Sequence, residues 1–183
     1  ETLPLDYLNK RGISKEIISE FQIGFVPKNS DYFNELKKKF DEKEILDTGL
    51  FYKNEKYNRY VNRFHSRIIF PIKNLTADVI AFGGRNINNE NTAKYINSPE
   101  TEFYKKGRHI FNLDKAKSAR NNDQEVIVVE GYMDVISIYS SGIKNVVSNS
   151  GIALTENQIN LIWRFFSKPV ICLDGDKSGQ KAS

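Results

Sequence analysis

Three carboxylates follow two apolar segments in the second half of the sequence. Glu130 closes the run "VIVVE", and Asp174 and Asp176 follow the run "VICL" as Asp-Gly-Asp. Carboxylates this close repel one another unless a cation compensates their charge, and Mg²⁺ or Mn²⁺ suits hard oxygen ligands. An Asp-Gly-Asp turn after a strand is also a common structural turn, so the prediction of a metal site depends on bringing Glu130 to the same place.

Soft metal ligands are scarce in the sequence. It contains one cysteine, Cys172, and two histidines, His65 and His109, both of which we expect to be structural rather than catalytic. We therefore expect no zinc in this chain, no internal disulfide and a reducing compartment. No apolar segment approaches the ~18 residues that a membrane span needs, and the N-terminus has no secretory signal. These features predict a cytoplasmic protein with no membrane partner.

The carboxylates need elements that bring two chain segments to one edge. From Glu125 onward, apolar runs alternate with helical patterns in the order strand, helix, strand, helix, strand. Short connections of this kind predict right-handed crossovers and a parallel sheet covered on both faces. Functional groups gather beyond the carboxyl ends of such strands. If the first and third strands are neighbours, Glu130, Asp174 and Asp176 converge. Trp163 is expected to pack the last helix on the sheet.

The first part of the chain has a different texture. Two short helices are predicted in residues 3–22, a third after Ser30, and a fourth opened by a capping box of Asp41 and Glu44. Apolar, β-branched and aromatic residues predict strands over 67–72 and 78–84, and residues 112–120 read as a helix. The segment "NNDQE" reads as a loop at a boundary between two units.

The net charge of +4 is unevenly distributed. The net charge is −2 in residues 1–52 and −2 in residues 121–183, whereas it is +8 in residues 53–120. A basic block of this kind is typical of surfaces that contact phosphates, although a solvated surface explains charge alone equally well.

Several motifs together resemble one family, the bacterial DnaG-type DNA primases. The segment "VIVVEGYMDVISIYSSGI", followed later by "VICLDGDKSGQKA", resembles the Toprim domain of this family. Four further segments resemble the other signatures of the family's catalytic core and occur in the same order: "YLNKRGIS", "RFHSRIIFPI", "VIAFGGR" and "KYINSPETEFYKKG". The resemblance covers essentially the whole chain. It implies an α/β fold in which an α+β N-terminal basic subdomain, residues 1–122, precedes the first part of a Toprim-type α/β/α parallel sheet, residues 123–183.

The resemblance implies an enzyme of DNA replication that copies single-stranded DNA into short RNA primers from ribonucleoside triphosphates. Its metal-assisted nucleotidyl transfer would use Glu130, Asp174 and Asp176 as catalytic acids that hold Mg²⁺ or Mn²⁺. Glu130 would also help to deprotonate the attacking 3′-hydroxyl. Asp134, the second acid of "EGYMD", would face the same way as Glu130 if the helix starts at Glu130. Alternatively, Asp134 is an N-terminal-turn residue favoured by the helix dipole.

The basic block would supply the contacts to template, RNA–DNA hybrid and nucleotide. The glycines before Arg85 are expected to let a phosphate approach closely, Tyr95 is a candidate for stacking on a base, and Arg108 extends the basic surface. Besides Asp134, the nucleotide- and DNA-binding residues implied by the resemblance are Arg63, Arg67, Arg85, Lys94, Tyr95, Asn97 and Lys106.

The sequence also departs from the family pattern. "SNSGIALT" has Ile152 where the family has a Thr, and the chain stops before the family's third acidic motif. We expect a truncated, C-terminally incomplete sheet, no preceding zinc-binding domain, helicase contact only through a domain absent here, and little primer synthesis by this chain alone. Two other readings stay open: a haloacid-dehalogenase-like phosphohydrolase with Asp174 as nucleophile, and a non-catalytic nucleic-acid-binding module.

Overall fold

A computed structural model describes residues 2–28, 30–88, 92–119, 124–150 and 153–173. Two of the predicted acids, Asp174 and Asp176, lie outside these residues, as do Gly151 and Ile152. Glu130 and all the predicted nucleotide- and DNA-binding residues lie within them.

Four short helices occupy the N-terminal part, as the sequence predicts. Their ends follow local signals: Gly12 takes a φ of +72° after the first helix, the Ser14 hydroxyl accepts a hydrogen bond from Ile17 N at 3.4 Å, and Asp41 and Glu44 form the predicted capping box. These helices are α1 (Thr2–Lys10), α2 (Lys15–Glu20), α3 (Tyr32–Lys37) and α4 (Glu42–Asp47).

An antiparallel sheet follows in the order β1–β4–β5–β6, and β2 and β3 form a separate two-stranded hairpin. Only β4 and β5 coincide with strands expected from the sequence. The strands are β1 (Gly24–Val26), β2 (Phe51–Asn54), β3 (Arg59–Asn62), β4 (Arg67–Lys73), β5 (Val79–Asn86) and β6 (Tyr95–Asn97). The short helix α5 (Leu113–Ala116) and a 3-10 turn (Lys117–Ala119) come after them.

The second sheet confirms the predicted parallel architecture. Its order is β8–β7–β9 and both pairings are parallel, so the first and third strands of this unit are neighbours. The elements are β7 (Glu125–Val129), α6 (Tyr132–Ser140), β8 (Val146–Ser148), α7 (Glu156–Trp163) and β9 (Lys168–Ile171). A capping box of Thr155 and Gln158 opens α7, as predicted.

One hydrophobic core joins the two sheets. It contains Phe70 from β4, Phe111 from the connection, and Val129 and Tyr132 from the end of β7 and the start of α6. The Tyr132 ring stacks on Phe70 at 5.4 Å between centroids and meets Phe111 edge-on at 4.8 Å. Shared apolar burial therefore fixes the antiparallel sheet against the start of α6.

The prediction that Trp163 packs α7 on the sheet is wrong, because Trp163 is 61 % exposed. Ile162 and Phe166 make that contact instead and are almost fully buried in a core with Val126 and Val128. Ile162 lies on the buried face of α7 and Phe166 follows the helix, whereas Trp163 is rotated by about 100° from Ile162. Among the helices that the structure describes, none is both long and apolar enough to cross a membrane.

Candidate nucleic-acid and nucleotide site

A cavity of about 570 Å³ lies where β6 approaches the start of α6, and we call it the crevice. Four residues predicted to bind nucleotide or DNA line it, together with residues from the connections that follow β7 and β8. The lining residues are Arg63, Tyr95, Ile96, Asn97, Lys106, Gly131, Tyr132 and Ser150. The crevice thus brings part of the basic block against the residue that follows Glu130.

Glu130 lies directly after β7 and is half-buried. Its backbone oxygen accepts a hydrogen bond from the Ser148 hydroxyl at 2.7 Å, and the same hydroxyl oxygen accepts from Ser150 N at 2.9 Å. These two bonds tie the segment after β8 to the end of β7, so Ser148 and Ser150 hold the backbone that carries Glu130.

The chain that leads to Asp174 passes beside the same edge. Val128 pairs with Ile171 in the parallel register, and Cys172 N donates to Val128 O at 2.8 Å. Asp174 and Asp176 lie outside the described residues, so their convergence with Glu130 stays a prediction. Among the residues that are described, no group of three or more His, Cys, Asp or Glu side chains is placed to hold a metal ion.

Asp134 has a clear structural role at the start of α6. The helix begins at Tyr132 and not at Glu130, and Asp134 Oδ2 accepts a hydrogen bond from Gly131 N at 2.9 Å. This contact matches the alternative of a carboxylate that stabilises a helix N-terminus. Binding of nucleotide by Asp134 stays a prediction.

Aromatic side chains occupy the space beside the two glycines that precede Arg85. A Cβ atom on Gly83 would lie 2.6 Å from Cζ of Tyr132, and one on Gly84 would lie 2.6 Å from Cδ1 of Phe64. The space on the Cβ side of both glycines is therefore taken by protein side chains, and close approach of a phosphate to this backbone stays a prediction. The glycines let aromatic rings pack directly on β5, and the Tyr132 hydroxyl then donates to Asn97 Oδ1 at 2.6 Å.

Arg85 is buried, with 7 % of its surface exposed, and contacts Tyr95 in two ways. Its Cζ lies 4.9 Å from the centre of the Tyr95 ring, and Nη1 donates a hydrogen bond to the Tyr95 hydroxyl. Burial raises the pKa of Tyr95, and the Arg85 charge partly opposes that rise. One face of Tyr95 is thus engaged by Arg85, which limits base stacking to the rest of the ring.

Arg63 and Arg67 both donate hydrogen bonds to backbone carbonyl oxygens. Arg67 is buried, and its Nη1 donates to Ala93 O at 2.8 Å, which holds the segment that leads into β6. Arg63 Nε donates to Gly49 O at 2.9 Å while its side chain lines the crevice. Lys94 is exposed beside them. These contacts make Arg67 a support of the crevice wall, and direct contact of either arginine with DNA stays a prediction.

Lys106 begins a 3-10 turn, Lys106–Arg108, that is anchored to α7. The side chain of Gln158 is fully buried and donates to Lys106 O at 3.1 Å, and the Thr155 hydroxyl donates to Gly107 O at 2.5 Å. Partial burial lowers the pKa of Lys106. Arg108 is exposed at the end of the turn. The Lys106 side chain therefore reaches the crevice from a rigid backbone.

The two histidines lie apart from the crevice. His109 stacks on Tyr104 at 5.6 Å, and burial lowers its pKa. His65 lies in a different, polar cavity of about 680 Å³ that also contains Lys28 and Arg59. Neither histidine lines the crevice.

Sequence reasoning missed Tyr132, Ser148 and Ser150 as parts of the site. Tyr132 stands inside the quoted "EGYMD" motif, where its position between the two acids was a usable signal. Ser148 and Ser150 carry no such signal, because their contacts depend on how the segment after β8 packs on the end of β7.

The two sheets and the crevice between them define an α/β protein that contains a Toprim domain, and residues 124–183 match the Toprim domain family. Residues 2–117 match the family described as the DNA primase catalytic core, N-terminal domain. The chain belongs to the DNA primase catalytic-core family, which confirms the resemblance seen in the sequence. This membership does not favour the phosphohydrolase or the non-catalytic reading.

Curated relatives are DNA primases from several bacteria. The chain is 40% identical to the DNA primase of Pasteurella multocida over 179 residues, which is 97% of this chain and 30% of that protein. It is 41% identical to the Lactococcus lactis DNA primase over 179 residues, which is 96% of this chain and 28% of that protein. The chain thus spans less than a third of the length of these relatives.

Solved structures share the fold. The zinc-binding and RNA polymerase domains of the Aquifex aeolicus primase match with a TM-score of 0.87 and 38% identity, over 97% of this chain and 44% of that chain. A DnaG primase catalytic domain bound to single-stranded DNA matches with a TM-score of 0.88 and 37% identity, over 99% of this chain and 56% of that chain.

Proposed function

We propose that this chain takes part in the template-directed synthesis of short RNA primers on single-stranded DNA during replication. The observation that carries the proposal is the crevice, in which Arg63, Tyr95, Asn97 and Lys106 meet the residue that follows Glu130. A nucleotidyl-transfer enzyme needs cationic groups for phosphates and acids for the reacting oxygens at one place. Membership of the DNA primase family supports the same activity.

In this proposal, Lys94, Lys106 and Arg63 bind phosphates at the rim and wall of the crevice. Lys94 is exposed, and Lys106 is held on an anchored turn, so both can present an ammonium group without reorganising the backbone. The DnaG catalytic domain solved with single-stranded DNA supports such a template as partner. Ribonucleoside triphosphates and the RNA–DNA hybrid are the proposed substrate and product, and contact with the replicative helicase would lie outside this chain.

We assign a divalent cation, Mg²⁺ or Mn²⁺, to Glu130, Asp174 and Asp176. The donor set fits, because Glu130 is a half-buried hard oxygen ligand at the end of the central strand and β9, which leads to Asp174, is paired with that strand. When bound, the cation would stabilise negative charge on the reacting oxygens. Glu130 itself would accept the proton of the attacking 3′-hydroxyl.

The proposed division of the chain is residues 1–122 for the basic subdomain and 123–183 for the Toprim part. The two family matches support it, since one ends at residue 117 and the other starts at residue 124.

Primer synthesis tests the proposal. Because the chain spans about 30% of the Pasteurella multocida primase, residues 1–183 replace the matching segment of that protein, and incorporation of labelled ribonucleotides on single-stranded DNA is measured. The chimera should make primers, Glu130→Gln should abolish synthesis, and Glu156→Gln, an exposed carboxylate on α7, should leave it unchanged. Synthesis that survives Glu130→Gln would contradict the proposal.

A further inference from the structure

Tyr7 of α1 reaches the buried arginine beside the crevice. Cζ of Arg85 lies 5.0 Å from the centre of the Tyr7 ring and 4.9 Å from the centre of the Tyr95 ring. The guanidinium is therefore in contact with two tyrosine rings, one from α1 and one from β6. Arg11, one helical turn after Tyr7, lies 5.5 Å from the same ring but is exposed.

The buried Arg85 guanidinium lacks a counter-ion and part of its hydrogen bonding among the described residues. Arg85 is 7 % exposed, and the ion pairs found among the described residues do not include it. In the same part of the chain, its Nε and the Tyr7 hydroxyl are both buried without a hydrogen-bond partner. A buried cation with no counter-ion is costly, and the negative faces of aromatic rings offset part of that cost. Such an arrangement is suited to an anion that arrives from outside.

We propose that Tyr7 is a positioning residue for phosphate binding in the crevice. Its ring, together with that of Tyr95, keeps the Arg85 guanidinium oriented and ready to bind a phosphate group of the template strand or of a nucleoside triphosphate. The inference rests on the proposed function and on the role in nucleotide or DNA binding that the family resemblance implies for Arg85. It adds that α1 sets the affinity for phosphate through the Tyr7 ring.

The test separates the ring's electrostatics from its packing. The affinities for a fluorescent single-stranded oligonucleotide and for a fluorescent ATP are measured for Arg85→Ala. The ligand whose affinity falls in this variant is the one that carries the bound phosphate. The Tyr7 variants are then measured with that ligand: Tyr7→Phe, Tyr7→Leu, and Phe analogues at position 7 with two or three ring fluorines. Fluorination weakens the negative electrostatic potential of the ring face with little change in ring volume. These variants therefore keep the fold even if Tyr7→Leu does not.

We expect Tyr7→Phe to bind within about twofold of the parent chain, and the fluorinated rings to bind progressively more weakly, to about tenfold. In the Arg85→Ala background the same ring changes should have no further effect. Tyr57 provides the matched control, because Arg59 and Lys56 lie over its exposed ring at 5.4 and 5.3 Å. Fluorination there should leave binding unchanged.

Four outcomes would overturn the inference. Affinity that does not depend on fluorination at Tyr7 would show a packing role only. Losses that persist in the Arg85→Ala background, or that appear equally at Tyr57, would show that the effect does not pass through Arg85. If Arg85→Ala weakens the binding of neither ligand, the role implied for Arg85 by resemblance fails and the inference fails with it, whereas the proposed function is tested separately by Glu130→Gln.

Discussion

The hydroxyl of Tyr132 donates a hydrogen bond to Asn97 Oδ1 at 2.6 Å, and this bond connects the two sheets across the crevice. Tyr132 opens α6, two residues after Glu130, whereas Asn97 ends β6 in the basic block. This polar contact adds to the apolar packing of the Tyr132 ring that holds the end of β7 against the segment that carries Lys94 and Tyr95.

Removing this hydroxyl should loosen the connection while keeping the ring packing. Tyr132→Phe retains the stack on Phe70 but leaves Asn97 Oδ1 without its donor, so we expect the free energy of unfolding to fall by about 1–2 kcal/mol. Urea unfolding measures the change, with Tyr52→Phe, an exposed tyrosine, as the control. An equal stability of Tyr132→Phe and the parent chain would show that the bond contributes nothing.

Gly83 should be intolerant of any side chain, because its Cβ position is occupied by the Tyr132 ring. We expect Gly83→Ala to lower the free energy of unfolding by about 1–3 kcal/mol through overpacking. Gly24→Ala, where no atom lies within 4 Å of the added Cβ, is the matched control and should cost less. The double variant Gly83→Ala/Tyr132→Leu should recover part of the loss. Full tolerance of Gly83→Ala would contradict the packing described.

Binding of single-stranded DNA should depend steeply on salt, with separate contributions from Lys94 and Lys106. Each Lys→Ala change should reduce the slope of log K against log[salt] by about one unit, since one phosphate contact is lost. Fluorescence anisotropy across a salt series gives the slope, and Lys15→Ala on α2 serves as the control. Unchanged slopes in both crevice variants would mean that the phosphates bind elsewhere.

Stability should fall in acid through a contact between α2 and α6. The Tyr139 hydroxyl donates to Glu20, and this bond, with Lys115 at 3.5 Å, holds the pKa of Glu20 below its ordinary value of 4.5. The unfolded chain therefore binds more protons than the folded chain near pH 4, so the stabilisation is present above the ordinary pKa and is lost as the pH falls through the lowered one.

Glu20→Gln should accordingly reduce the free energy of unfolding near pH 7 by about 0.5–1 kcal/mol, the range of a partly exposed charged contact. The difference between the variant and the parent chain should shrink as the pH falls towards 3. Urea unfolding at several pH values checks this, with Glu35→Gln as an exposed control. A difference that stays constant with pH would exclude the contribution of the Glu20 charge.

The elements that sequence predicts well are those whose signals are local. Ser14, Asp41 and Thr155 bond to backbone groups three residues away, so their helix starts follow from the sequence alone. The parallel unit is also predictable, because each of its strands is a nearly continuous apolar run. The short strands β1 and β6 have three residues each and form by pairing with β4 and β5, which no local pattern reveals.

The site could be predicted only in its residue types. Lys94, Tyr95 and Asn97 were found by resemblance, but the burial of Arg85 and Arg67 depends on contacts with Tyr7 and with Ala93 that are distant in sequence. The packing at Gly83 could not be predicted for the same reason, because the ring that lies against it belongs to α6. Distances of this kind are set by tertiary packing, not by spacing along the chain.

We propose that the acids at the end of the parallel sheet and the basic segment of β6 form one site. Fluorine NMR of the chain with 3-fluorotyrosine at its 9 tyrosines, assigned by single Tyr→Phe variants, tests it during titration with Mn²⁺. We predict that Mn²⁺ broadens the signals of Tyr132 and Tyr95 before that of Tyr57, and that Asp174→Asn or Glu130→Gln abolishes this selective broadening. Selective broadening that survives both substitutions, or that is absent at saturating Mn²⁺, would contradict the account.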